Sequence, residues 1–419
     1  MNLNKFSNLK AVQIHYSEKA SGSAAWRLHC CFNEYGINST AIFLIKGNHN
    51  EDNVKYLGRK ANLIARIDQK IQGFINRKNK KELGLFSFPI LGTDISKRKE
   101  IIESDFIYIH WTSMGFLNLK NIENLIKLQK PVIFILHDMW HITGGCHYSF
   151  DCNKYITGCQ NCPILPTTKE HDLSSKEFKK KLKLYSRYHN IYFVSPSKWL
   201  YNCTKESLLT IKKPAFYIPN IINTNVFKPF NKQIAKNILN IAPNEFVLAF
   251  GAVQIGSPYK GWKYLQNALE ILKEENLELS LTVLIFGSGF NKTIENLIPF
   301  KTKFLGHLND EFSMVIAYNA ADVFVIPSLA DNQPTTVMES LSCGTPVVGF
   351  NTGGIPDMIK HKENGYLAQY KDSNGIATGI KFFCENKIKA EILPEFKKET
   401  VMLQHFNLIN QIFAKVQGA

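Results

Sequence analysis

The sequence predicts an α/β protein made of two doubly wound domains that face each other across a cleft. Three observations carry that prediction. The chain has 419 residues, too many for one ordinary core and enough for two of roughly 200 residues each. Apolar residues make up 45% and charged residues 20%, the balance of a folded globular chain rather than a disordered one. Short β-branched runs alternate with longer helical stretches throughout, and no tandem repeat or low-complexity tract interrupts them.

The elements follow in order. Residues 12–16 lead through Ser21-Gly22-Ser23 into a helix near 24–35. Residues 106–109 end at His110-Trp111, residues 132–136 at His137-Asp138, and residues 191–194 at Ser195-Pro196-Ser197. Such near-continuous apolar runs fit strands buried on both faces of a parallel sheet. The second half repeats the scheme: residues 246–250 precede Gly251, and 281–286 precede Gly287-Ser288-Gly289. Residues 323–326 precede Pro327-Ser328, and 347–350 precede Asn351-Thr352-Gly353-Gly354. Residues 217–229 hold two prolines and Asn-bearing turns, the expected linker. The expected domains are therefore 1–222 and 223–399, with a helix near 400–419 packing back onto the first. In such sheets ligands bind beyond the carboxyl ends of the strands, where all these turns lie.

The most specific stretch is residues 327–346. Pro334 is placed to open a helix and Gly344 to close it. The free amides of Thr335 and Thr336 at its start suit an anion. Glu339 lies one turn in, on the face of Thr335, where a carboxylate fits a sugar diol better than a phosphate. Asp331, on the preceding loop, is placed to accept from a second sugar. Spacing alone leaves a plain capped helix with surface acids equally open. Lys260 follows the strand ending at Gly251 and suits a diphosphate, whose charge grows as a bond to it breaks. Taken alone it also reads as one more solvated lysine. The Gly287 turn is a weak phosphate-loop signal, and a tight strand-to-helix turn explains it as well.

Together these residues resemble the retaining glycosyltransferases of family 4, two-domain enzymes of the GT-B type that use nucleotide sugars. The likeness rests on Ser21-Gly22-Ser23, His110-Trp111, His137-Asp138-Met139-Trp140, Ile218-Pro219-Asn220 and Lys260-Gly261. It extends to the carboxylates at 331 and 339 and to Gly353-Gly354-Ile355-Pro356. It implies two Rossmann-like domains, the C-terminal one holding a UDP- or GDP-type donor. By the likeness Lys260 grips the diphosphate, Glu339 the ribose, Asp331 the transferred sugar, and Pro334 with the Thr335 and Thr336 amides a phosphate. Gly22, Gly287 and His307 flank the donor, the last in a segment matching the one beside the base. His137 faces the reacting sugar, so His137, Asp331, Lys260 and Glu339 form the implied catalytic set. His110, Trp111, Asp138 and Gly144 belong to the acceptor side, which in this family takes a saccharide or a lipid-linked saccharide for polysaccharide assembly. Neither a catalytic metal nor nucleic acid is implied. Two departures stand out: the first carboxylate of the family's pair is usually Glu, and an Arg often follows the strand that here continues as Ala252-Val253.

Cys146, Cys152, Cys159 and Cys162 crowd into one stretch containing a C-x-x-C, a spacing that suits a structural zinc site. Two labile disulfides or four reduced thiols are the rival readings. Lys plus Arg number 50 against 35 Asp plus Glu, a formal +15, which points to a polyanionic partner. Basic clusters at 77–81 and 176–185 suggest docking on an anionic membrane; in the second, Phe178, Leu182 and Tyr185 recur at helical spacing and also fit an inward-packed face, the commoner case. No apolar run approaches a membrane span, and the first residues lack a signal-peptide stretch, so the expected location is cytoplasmic, peripheral at the inner membrane face. Two other functions remain open: an inactive nucleotide-sugar-binding protein, and a basic, zinc-containing nucleic-acid binder.

Overall fold

The computed structural model describes residues 6, 8–18, 22–47, 49–166, 169–275 and 280–417. The chain forms two compact units. One comprises the residues up to Ile221 together with those from Val401 onward; the other is Ile222–Thr400.

The first unit is built on seven parallel strands: β1 (Lys10–His15), β2 (Asn38–Phe43), β3 (Val54–Tyr56), β4 (Phe106–Ile109), β5 (Val132–Ile135), β6 (Ile191–Ser195) and β7 (Ala215–Tyr217). Their order is β3-β2-β1-β4-β5-β6-β7. The second has six parallel strands: β8 (Phe246–Gln254), β9 (Leu281–Ser288), β10 (Lys301–Phe304), β11 (Val323–Ile326), β12 (Val347–Phe350) and β13 (Gly365–Ala368), in the order β10-β9-β8-β11-β12-β13. Both units are therefore doubly wound, as the apolar runs predict.

Two-sided burial explains those runs. In β8, Val247 and Ala249 join one core with Phe324 and Val347, while Phe246, Leu248 and Phe250 join the opposite core with Val323 and Val348. Successive side chains point to opposite faces, and helices cover both. The helix Lys398–Gln417 packs on the first unit, burying Val401, Met402, Phe406, Ile409 and Ile412 beside Phe32, Tyr108 and Ile133. The helix Leu173–Arg187 buries Phe178 and Tyr185 and leaves Leu182 half-buried against the same core, the inward-packed reading. Its Lys181 is also fully buried, against the solvated lysine face that the sequence suggests.

In each sheet the winding reverses once, between β1 and β4 and between β8 and β11. Chains leave those neighbouring strands in opposite directions, which opens a crevice at their carboxyl ends. The candidate residues gather at these two points.

Candidate active site

At the β8–β11 reversal the turn Pro258–Lys260 meets the loop after β11. Leu329 N donates to the carbonyl of Tyr259 at 2.8 Å. Gly261, at φ +71°, lies so close that an added Cβ would sit 1.8 Å from the Pro327 carbonyl oxygen. This tight seam aims Lys260 at Asp331, and Nζ meets Oδ2 at 2.6 Å. Burial opposes the lysine's charge, but the Asp331 carboxylate more than offsets it and holds Lys260 above its ordinary value. Asp331 is fixed from its other side, where its carbonyl accepts from Gly354 N at 3.1 Å. Gly353, at φ +57°, leaves no room for a Cβ beside that same oxygen.

Pro334 occupies the cap position of the helix Thr335–Ser342 rather than its first turn, and it offers no side-chain cap. The first amides of a helix lack intrahelical acceptors, so those of Thr335 and Thr336 remain donors for a ligand. Glu339 is 2% exposed and accepts from the Tyr318 hydroxyl at 3.1 Å. The structure thus joins Lys260 and Asp331 directly and places Glu339 one turn down the helix that follows them.

Gly287 lies within β9 rather than in a phosphate loop. A Cβ there would strike the Ala252 carbonyl, and its N–H donates to Gly306 at 2.8 Å, so it serves close strand packing. His307 is exposed directly after Gly306. Ala252 and Val253, where the family often has an Arg, are strand residues of β8.

In the first unit the ends of β1, β4 and β5 each deliver a histidine. His110 Nδ1 lies 2.9 Å from His137 Nε2, and His110 Nε2 lies 2.7 Å from Gln13 Oε1. His15 stands edge-on to His137 with ring centroids 5.7 Å apart, and its Nδ1 accepts from Ser17 N. Burial lowers all three, His137 to about 4 despite the opposing charge of Asp138. Nε2 of His15 and the amide nitrogen of Gln13 are buried without a partner among the described residues. Sequence reasoning missed His15 and Gln13, although His15 ends its strand as His110 and His137 end theirs.

The other acceptor-side expectations need correction. Asp138 is buried and saturated by the protein, accepting from Trp111 Nε1 at 2.9 Å, His147 Nδ1 at 2.5 Å and Trp140 N at 2.8 Å. Burial opposes its charge, yet the His147 ring and the Trp140 amide hold it below the usual carboxylate range. It is a hub that seats Trp111 and His147. Gly144 is buried against the Ser174 carbonyl and Cys159, so packing occupies it rather than an acceptor. Gly22 opens the helix Gly22–Glu34, while Ser21 lies outside the described residues.

The four clustered cysteines are free thiols. Cys146 and Cys162 pack with Phe86, Phe88, Ile164 and Leu165. Cys159 Sγ accepts from Gly144 N at 3.2 Å, and burial pushes its thiol up to about 12. Among the described residues no three His, Cys, Asp or Glu side chains are gathered so as to hold a metal ion, although Cys146 senses the charges of Cys159, Cys162 and Cys152. Apolar packing orders this stretch, as does the buried Lys181, whose Nζ donates to the carbonyls of Trp140 and Thr143.

Residues 245–386, the greater part of the second unit, match the family model described as Glycosyl transferases group 1. An uncharacterized glycosyltransferase of Haemophilus influenzae is 27% identical over 188 residues, covering 43% of this chain and 50% of that protein. The UDP-Gal:alpha-D-GlcNAc-diphosphoundecaprenol alpha-1,3-galactosyltransferase of Escherichia coli is 26% identical over 219 residues, covering 50% of this chain and 54% of that one. The chain thus spans about half the length of these curated relatives. Among solved structures, Anabaena HepE in complex with UDP and glucose is similar with a TM-score of 0.61 and 17% identity, over 96% of this chain and 100% of that one. That likeness places the fold among GT-B proteins.

Proposed function

We propose that the protein is a glycosyltransferase that moves a sugar from a nucleotide-sugar donor to a saccharide or lipid-linked saccharide, with retention at the anomeric carbon, in cell-surface polysaccharide assembly. The observation that carries this reading is the Lys260–Asp331 pair at the β8–β11 reversal, inside the segment that matches the transferase family model. Lys260 neutralises the donor diphosphate, which displaces the ammonium from Asp331 and frees that carboxylate for a sugar hydroxyl. The Thr335 and Thr336 amides take the remaining phosphate charge, and Glu339 takes the ribose diol. The bond from the anomeric carbon to the diphosphate oxygen breaks, and a bond to the acceptor oxygen forms on the same face. The departing oxygen receives the acceptor's proton, leaving a nucleoside diphosphate. Such a step needs positioning and leaving-group stabilisation but no protein nucleophile. UDP-sugars are the first donors to try, since HepE was crystallised with UDP.

A thermal-shift panel of UDP-, GDP-, ADP- and CDP-sugars on wild type and Glu339→Ala tests the donor site. One donor family is expected to stabilise wild type by several degrees and the variant by far less. A panel in which no nucleotide sugar stabilises the wild type sinks the reading.

The relative named for a diphosphoundecaprenol acceptor supports work at a lipid surface. Among the described residues no helix is long and apolar enough to cross a membrane. The helix Arg59–Ile75 has a face suited to lying on one, with Leu63 59% and Phe74 64% exposed beside exposed Ile67 and Ile75. Arg59, Lys60, Arg66, Lys70, Arg77 and Lys78 surround them, and the helix's one acid, Asp68, is buried. Each basic residue near an anionic bilayer contributes about 1 kcal/mol. The protein is expected to sediment with anionic vesicles at low salt and not with neutral ones, and Ile67→Glu with Phe74→Glu should weaken that binding at least tenfold. Equal sedimentation of wild type and double variant would remove this surface from the account.

A further inference from the structure

The histidines at the ends of β4 and β5 do not stand alone, because Gln13 on β1 reaches them through a chain of two hydrogen bonds. A carbonyl oxygen only accepts, so with the Gln13 amide turned to bring Oε1 within 2.7 Å of the ring, the hydrogen of His110 sits on Nε2. His110 is 1% exposed, and burial together with the neighbouring His137 and His15 rings holds it well below its ordinary value. It is therefore neutral, and a neutral imidazole with Nε2–H offers a lone pair at Nδ1. That lone pair faces His137 Nε2 at 2.9 Å, which must then donate.

We propose that Gln13 and His110 act as positioning residues that lock His137 as its Nε2–H tautomer, leaving Nδ1 as an acceptor for a substrate hydroxyl. Three features support this. Nδ1 of His137 has no hydrogen-bond partner among the described residues, and it is not among their buried unpartnered atoms, so it is open to a ligand. The ring is held at its far nitrogen, which fixes the direction of that lone pair, as the outer partner of a metal-bound histidine fixes its tautomer. The Gln13 amide nitrogen is left buried without a described partner, so the side chain is held by its carbonyl alone. This role rests on the transferase reading, whereas the tautomer is a property of the free protein.

The test separates the two. Long-range 15N–1H correlation on histidine-labelled wild-type protein, with no substrate present, is expected to show His137 protonated at Nε2 and bare at Nδ1. In Gln13→Met and in His110→Leu the two nitrogens of His137 should shift toward a mixture of tautomers. His110→Asn places an amide oxygen near the position of Nδ1, so it should keep the wild-type pattern. With whichever donor proves active, Gln13→Met is expected to lower kcat at least tenfold while KM for the donor stays within about twofold. A wild-type His137 protonated at Nδ1 overturns the proposal even if every variant fails to fold. So does an unchanged tautomer in folded Gln13→Met, or unchanged turnover alongside a lost tautomer. Absence of turnover with every donor sinks the transferase reading instead and leaves the spectroscopic result standing.

Discussion

Lys260→Ala is expected to reduce turnover by about 100- to 1000-fold, the range seen when one preorganised donor to developing negative charge is removed. The same substitution strands Asp331, 8% exposed, without its ion-pair partner. An unsatisfied buried polar group costs about 1–3 kcal/mol, so the variant should also unfold at lower denaturant. Lys260→Arg distinguishes the two losses. A longer guanidinium restores a positive charge beside Asp331 and most of the stability, but it places that charge differently against a diphosphate. Its kcat should remain well below wild type while its denaturation midpoint recovers. Steady-state kinetics and urea titration on the three proteins decide it, and wild-type turnover in Lys260→Ala would end the proposed role.

A second large effect is expected at Gly261, which touches no substrate in the proposed reaction. Alanine there must adopt φ near +71° and drive its Cβ into the Pro327 carbonyl. A left-handed conformation costs an ordinary residue about 1–2 kcal/mol. Overpacking against backbone costs a similar amount, for a total near 3 kcal/mol. The seam between the Lys260 turn and the β11 loop would open, so stabilisation by the donor should vanish with the lost stability. Gly73→Ala provides the control. That glycine lies in the helix Arg59–Ile75 with nothing within 4 Å of an added Cβ, so alanine should stabilise the protein by about 0.5–1 kcal/mol. Urea melts showing equal midpoints for Gly261→Ala and wild type would refute the seam.

The central strands were legible because each is buried on both faces, which leaves a run of apolar residues that no loop shares. The edges were not. β3, β7, β10 and β13 are three or four residues long and none is buried at more than two positions, and Lys301-Thr302-Lys303 carries no strand signal at all. β2 is interior but begins Asn38-Ser39-Thr40, and its polar start hides it. At the site, motif spacing led to Lys260, Asp331 and Glu339 one by one. That the first two touch depends on the Tyr259–Leu329 hydrogen bond, a contact between distant backbone positions that no local pattern encodes. Asp138 and Gly144 were assigned to the acceptor side through the family likeness, which says nothing of how this chain packs around them. Their real surroundings, Trp111 and His147 for one and the Ser174 carbonyl for the other, come from parts of the chain with no shared motif.

The helix Lys398–Gln417 makes Ile222–Thr400 an insertion within the first unit rather than a tail behind it. Domains fold as units during synthesis, generally in the order in which they emerge. Here that order is inverted. The second unit is complete once Thr400 has left the ribosome, whereas the first waits for Met402, Phe406 and Ile412 to close over Phe32 and Tyr108. During translation the earlier-made half therefore carries an unsealed apolar patch for the time it takes to make roughly 200 further residues, the interval in which a chaperone would be needed most.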